Sequence, residues 1–193
     1  MPTPDIPRIE AVQADGFDAF CLYLADHLGD NGLHGHYFQP LPAAESRPPL
    51  ATLQSFRQGA TIALPAPGWR RTWVARNAGG DILGHIDLRA HAQPHASHRC
   101  LLGMGVHRDH RQRGLGARLL AHATQWAEAT GTLHWVDLQV LSANRPAVQL
   151  YLRNGFQVTG EIPDMFLIDG RRFAFTSMTQ RVAASQAKGA HFG

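Results

Sequence analysis

A glycine-bearing turn between an apolar strand and a helix constrains this chain more than any other stretch. Residues 100–106 (CLLGMGV) have the apolar run of a buried strand, and residues 111–116 (RQRGLG) carry the glycines of a tight turn. Residues 117–129 have the spacing of a helix. A turn of this kind aims several backbone N–H groups at one point. Those at the start of a helix have no intrahelical acceptor, and the helix dipole adds partial positive charge beside them. The combination is a place to hold phosphate. Arg108, Arg111, Arg113 and Arg118 crowd the same stretch, so side-chain charge points the same way.

The remaining elements follow from pattern. Residues 6–12 give a short edge strand, where Pro7 is tolerated. Residues 15–28 give an amphipathic helix with Phe17, Phe20, Cys21, Leu24 and Leu28 on its apolar face and Asp15 as its cap. Residues 29–49, rich in Gly, His and Pro, form a loop long enough to suggest substrate contact. A second helix spans 50–59. Strands at 69–76 and 82–89 are joined by a hairpin turn at 77–81. After the helix at 117–129 comes a strand at 133–141. Asn144 then leads a helix that stops at Asn154 and Gly155. Two last strands, 157–162 and 172–181, flank a turn at 168–170. This order predicts an α+β (α/β) domain with a mixed sheet and excludes an all-helical module.

Composition narrows the class. With 193 residues, 44% hydrophobic and 17% charged, the chain can bury one sizeable core and is too apolar for wholesale disorder. No apolar run approaches a membrane span, and the first residues lack the basic and apolar regions of a signal peptide. The expectation is a cytoplasmic protein with no membrane partner. A net charge of +3, scattered apart from the turn, argues for a local anion and against a nucleic-acid partner. Cys100 opens an apolar run and reads as a reduced core residue.

Two familiar glycine loops fail. A dinucleotide fingerprint needs a third glycine, absent after both Gly103-Met104-Gly105 and Gly114-Leu115-Gly116, and no Gly-Lys-Ser/Thr supplies a P-loop. What remains is RQRGLG followed by N144-RPAVQLYLRNGF. Together these resemble the GNAT superfamily of acetyl-CoA-dependent N-acetyltransferases. The motif Q/R-x-x-G-x-G/A matches Arg111, Gly114 and Gly116. The motif N-x-x-A-x-x-L-Y-x-x-x-G-F matches Asn144, Ala147, Leu150, Tyr151, Gly155 and Phe156. The resemblance covers roughly residues 70–180.

The resemblance implies one N-acetyltransferase domain over 1–193. Within it, 1–68 would supply acceptor-side helices and loop, 69–182 the cofactor-binding core, and 183–193 a flexible tail. The sheet would be mostly antiparallel, with two central strands splayed around acetyl-CoA as co-substrate. Arg111, Gln112, Arg113, Gly114, Leu115, Gly116 and Ala117 would hold its pyrophosphate, where a Cβ would push phosphate from the backbone donors. Met104, Gly105 and Val106 would pair with its pantetheine arm, and Asn144 would lie on its other flank. Tyr151 stands where many members place a general acid. Gln112 departs from the usual Gly; were its φ positive, it would carry strain of roughly 1–2 kcal/mol.

Direct transfer needs a deprotonated amine, so a base or water chain must take a proton. His85, Asp87, His107 and Asp137 are the candidates in or beside strands, with His107 foremost because it follows the cofactor strand. Bland roles stay open: Asn144 as helix cap only, Tyr151 as core packing, and Asp164 and Asp169 as surface acids flanking the last turn. His34, His36, His91, His95 and His98 lack supporting ligand spacing, so no metal is expected. The acceptor is an amine, on a small molecule or a peptide, and a homodimer is possible. Two rivals remain: a non-catalytic acyl-CoA-binding regulatory domain, and an ATP-binding domain using the glycine turn.

Overall fold

The computed structural model describes residues 6–182, so the tail expected at 183–193 lies outside the described residues. Seven strands form one sheet in the order β1-β2-β3-β4-β5-β7-β6. They are β1 (Arg8–Ala11), β2 (Arg70–Arg76), β3 (Ile82–Ala90), β4 (Arg99–Val106), β5 (Trp135–Leu141), β6 (Gln157–Ile168) and β7 (Arg171–Arg181). The helices are α1 (Phe17–Gly29), α2 (Leu50–Gly59), α3 (Leu115–Ala129) and α4 (Arg145–Arg153). Every strand pairing is antiparallel except β4 with β5.

The exception positions the site. β4 and β5 pair in parallel only over Arg99–Trp135, Cys100–Val136 and Leu101–Asp137. Beyond Leu101 the two strands have no further register, so the β5-facing edge of β4 is open in the middle of the sheet.

Alternation along the strands sorts the two faces. Gly84 of β3 lies against Leu115 and Leu119 of α3, and Leu102 and Val136 join Leu119, Leu120, Ala123 and Met178 in the main core. The opposite face carries His85 and Val74 against α1 and α2, where Phe17, Phe20, Tyr23, Leu24 and Phe56 form a second core. The first core fixes the strand-to-helix junction; the second fixes α1 beside β4.

The expected order of elements holds, with instructive shifts at their ends. Asp15 does not cap α1: it sits in a 3-10 turn at Ala14–Gly16, and α1 starts at Phe17 behind Gly16 with no side-chain cap. The apolar stripe is rotated, burying Tyr23 and His27 while Cys21 and Leu28 are half-buried. α3 begins at Leu115, so the glycine turn closes directly into the helix. β6 runs on to Ile168 through register shifts at Val158/Gly160 and Ile162/Phe166, leaving only Asp169 and Gly170 as the turn. Cys100 is fully buried and both cysteines are free.

Candidate active site

The glycine turn follows the end of β4 that has parted from β5. Gln112 has φ 60° and Gly114 φ 78°, so the backbone passes twice through the left-handed region before α3 starts. No side chain caps α3, and its first N–H groups face the turn without a protein acceptor of that kind. Gly116 is required for a different reason: a Cβ there would lie 2.9 Å from Leu150 Cδ2 and 3.5 Å from Met104 Cε, where α3, α4 and β4 meet. The positive φ at Gln112 is the strained conformation foreseen for a non-glycine residue.

This arrangement fits a pyrophosphate-bearing acyl carrier. An uncapped helix start supplies anion donors, and β4 beyond Leu101 has no β5 partner and so leaves room for an extended arm, with Gly105 O and Val106 O already accepting from Tyr23 and Arg111. Met104, Gly105 and Val106 lie on that stretch, and Gln112, Arg113, Gly114, Leu115, Gly116 and Ala117 form the turn and first helical turn. Arg111 behaves differently from its neighbours. Its Nε donates to Val106 O at 3.0 Å and its Nη2 to Asp30 Oδ2 at 3.0 Å, so its side chain braces the turn. Arg108 donates to Asp30 Oδ1 at 2.8 Å and to Asp26 Oδ1 at 3.0 Å. The buried Asp30 carboxylate at the end of α1 thus ties that helix to the glycine turn.

On α4, Asn144 caps the helix by accepting from Ala147 N at 3.4 Å. Tyr151 is buried edge-on to Phe156, with ring centroids 5.6 Å apart. Its hydroxyl makes no hydrogen bond among the described residues, and burial raises its pKa above the ordinary phenol value. It therefore holds its proton throughout the physiological range, as a proton donor must before it acts.

The base candidates fare unequally. Asp87 is buried and bound by Arg70 Nε at 2.8 Å and Arg89 at 3.2 Å. Asp137 accepts from Arg99 Nε at 2.7 Å and from Thr179 at 2.6 Å. Both are structural ion pairs. His85 is sealed in the α1 face, its Nδ1 3.3 Å from the Tyr23 hydroxyl, with its pKa pushed down to about 3 by burial and by Arg70. His107 caps a short turn by accepting from Asp109 N at 3.3 Å, and lies 3.6 Å from Asp26 and from Asp109. Of the four, His107 alone is not consumed by the core.

The structure adds residues that pattern alone passed over. Tyr23 donates to Gly105 O at 3.4 Å, and His27 stacks parallel to Tyr23 and against Phe38. Asn31, fully buried, gathers the long loop: its amide donates to Leu41 O at 2.9 Å and Ser46 Oγ at 2.7 Å. The same side chain accepts from Phe38 N and Gln39 N, each at 2.8 Å. Asp169 is more than a surface acid, because it accepts from Tyr37 OH at 2.6 Å and latches the loop onto the β6–β7 turn. Asp164 lies within β6 at φ 50° and pairs with the exposed Arg172, so it does not flank the turn. Among the described residues, no cluster of His, Cys, Asp or Glu could hold a metal ion, and no helix is long and apolar enough to cross a membrane.

Comparison with known proteins agrees with this geometry. The profile described as Acetyltransferase (GNAT) family matches residues 33–156. An Escherichia coli L-amino acid N-acetyltransferase, AaaT, is 26% identical over 81 residues, 42% of this chain and 50% of that protein. An L-methionine sulfoximine/L-methionine sulfone acetyltransferase of Pseudomonas aeruginosa is 31% identical over 107 residues, 54% of this chain and 61% of that one. The chain therefore spans only about half the length of these relatives. A Salmonella typhimurium structure determined with acetyl-CoA superposes with TM-score 0.70 at 19% identity, covering 95% of this chain and 98% of the other.

Proposed function

Because the chain belongs to the GNAT acetyltransferase family, we propose that it transfers an acetyl group from acetyl-CoA directly to a primary amine. The observation that carries this reading is the open β4 edge running into an uncapped helix start, with Tyr151 on the flanking helix. The co-substrate supplies an activated acyl group. The chain's own residues then do the rest: the 111–117 turn binds phosphate, Met104 to Val106 align the arm, and Tyr151 gives its proton to the departing sulfur. Asn144 orders α4 through its cap and so places Tyr151. His107 is the proton acceptor in this scheme. The division into an acceptor side, 1–68, and a donor-binding core, 69–182, belongs to the same reading, as does a cytoplasmic location.

The relatives' named acceptors, amino acids and their sulfoximine and sulfone analogues, support a small-molecule amine. The loop latched over the β6–β7 turn by Tyr37 and Asp169 favours a small acceptor over a long peptide. Calorimetry with coenzyme A, acetyl-CoA and ATP, followed by thiol release across an amine panel, tests the proposal. Binding of ATP with none of coenzyme A overturns it. Tyr151→Phe is expected to lower kcat about 100-fold with coenzyme A affinity little changed. Equal turnover by Tyr151→Phe on every acceptor would remove Tyr151 as the acid, and coenzyme A binding with no thiol release on any amine would favour the non-catalytic reading of the site.

A further inference from the structure

One polar group beside the donor strand has no assigned role. His27 is only 5% exposed, and its Nδ1 is sealed from solvent with no hydrogen-bond partner. Its ring occupies the side-chain space of Gly105. A Cβ at Gly105 would lie 2.2 Å from His27 Nε2 and 2.7 Å from both Cδ2 and Cε1. Both ring carbons lie nearer than an in-plane approach along the Nε2–H direction would leave them, which places Gly105 under the face of the ring, so the in-plane direction of Nε2 runs across β4, not into it.

The walls fix the ring. Tyr23 stacks on it with centroids 6.0 Å apart, and Phe38 packs at 5.0 Å. Tyr23 directs its hydroxyl proton to Gly105 O, which makes His85 Nδ1 a donor to Tyr23. No oxygen is left to accept from His27 Nδ1. A buried N–H without an acceptor is costlier than a bare ring nitrogen, so the ring proton resides on Nε2. A histidine base usually anchors its second nitrogen on an acceptor, and this one has none. Burial, the nearby His85 and Arg111 also push its pKa down to about 3, which keeps it uncharged at working pH. His27 is thus built to donate one hydrogen bond.

The surroundings say to what. Asp26, Asp30, Asp87 and Asp137 are each matched by arginine. None of these four carboxylates is left to receive a second or third ammonium of a polyamine. An uncharged donor beside aromatic walls suits an sp² oxygen close to the reacting amine.

Resting on the acetyltransferase reading, we propose that the acceptor is an α-amino carbonyl compound, and that His27 Nε2–H holds the carbonyl or carboxyl oxygen beside its amine. His27 is then a specificity-determining residue that touches substrate, while proton transfer belongs to other groups.

The test uses a matched series of phenylalanine, phenylalaninamide, a phenylalanyl dipeptide, phenethylamine and spermidine. Thiol release is compared per free amine, and acceptor binding to the coenzyme A complex is measured by calorimetry. The unaltered protein should favour the carbonyl-bearing acceptors over phenethylamine by about tenfold, the worth of one well-placed hydrogen bond. The free acid, amide and dipeptide arms show which source of that carbonyl the site takes. In His27→Phe, which keeps the stacking and loses the donor, the preference should collapse to within about twofold, in turnover and in binding. His27→Gln, which restores an N–H, should recover most of it. Phenethylamine or spermidine as the best acceptor of the unaltered protein overturns the proposal, and so does a preference that survives in His27→Phe. Should His27→Phe fail to fold, the unaltered protein's ranking still decides. A protein that binds coenzyme A and acetylates amines without preference sinks this proposal alone; absence of coenzyme A binding sinks the acetyltransferase reading beneath it.

Discussion

Lowering the pH should destabilise this protein well above the range where carboxylates titrate. His27 and His85 are both buried beside Tyr23, and burial pushes each pKa from 6.5 down to about 3. Above pH 6.5 both rings are neutral in the folded and unfolded chain, and neither affects the balance. Below it the unfolded chain takes up protons that the folded chain refuses, so stability falls with pH until the folded values are reached. Each such group contributes a slope of about 1.4 kcal/mol per pH unit, so the pair gives roughly 2.7. Between pH 7 and pH 5 the integrated loss is about 4 kcal/mol, a large share of the roughly 5–15 kcal/mol of a typical domain. That figure is insensitive to the depth of the shift, since folded values of 3 or 4 give nearly the same loss down to pH 5. His122, half-buried and also shifted down by desolvation, acts in the same direction. Asp26, lowered by its Arg108 hydrogen bond, contributes only below about pH 4. Urea unfolding at pH 7.5, 6.5, 5.5 and 5.0 measures the slope. His27→Gln should reduce it by about half. A loss under about 1 kcal/mol across this range, or ring resonances of His27 and His85 titrating near their ordinary value, refutes the argument.

Three further outcomes follow from particular geometries. Gln112→Gly removes the penalty for a side chain at φ 60°, and should raise stability by about 0.5–1 kcal/mol in thermal or urea unfolding while preserving coenzyme A binding. Destabilisation would show that the Gln112 side chain does something the backbone angle does not reveal. Gly105→Ala drives a methyl to 2.2 Å from His27 Nε2, so either the ring or α1 must move; a loss of about 1–3 kcal/mol is expected, together with weaker acceptor binding. Asp30→Asn leaves Arg108 and Arg111 without their shared carboxylate. Because both arginines are partly exposed, we expect about 1–2 kcal/mol, below the value of a fully buried pair, and an unchanged urea midpoint would contradict it.

What was legible in the sequence was whatever depends on backbone and spacing. The strand, turn and helix around 100–129 appear in the structure because glycine content and apolar period report φ, ψ and burial directly. Asn144 emerges as a cap because the residue type and the following proline signal it locally. Partners distant in the chain were not legible. Arg111 looked like a phosphate ligand, yet its guanidinium is spent on Val106 O and Asp30, a residue some eighty positions earlier. Asp87 and Asp137 looked like bases because they sit in strands, but an aspartate's use depends on which arginine the neighbouring strand brings, and that is a matter of register.

His27 shows where more could have been read. Phe17, Phe20, Leu24 and His27 continue one helical stripe, but a histidine ends it where Leu28 offered a more hydrophobic alternative. Taking Leu28 in place of His27 moved that end of the stripe by one residue, about 100° around the helix, and hid the polar group that the fold turns toward β4. The clue lies across the molecule, in the glycine at 105. A glycine in a buried strand interior weakens the strand unless something needs the space. Here the space holds an imidazole. A polar residue ending an apolar helical stripe, and a glycine interrupting a central strand, are each ambiguous alone. They acquire meaning as a pair, and the pairing is made only when α1 docks on β4.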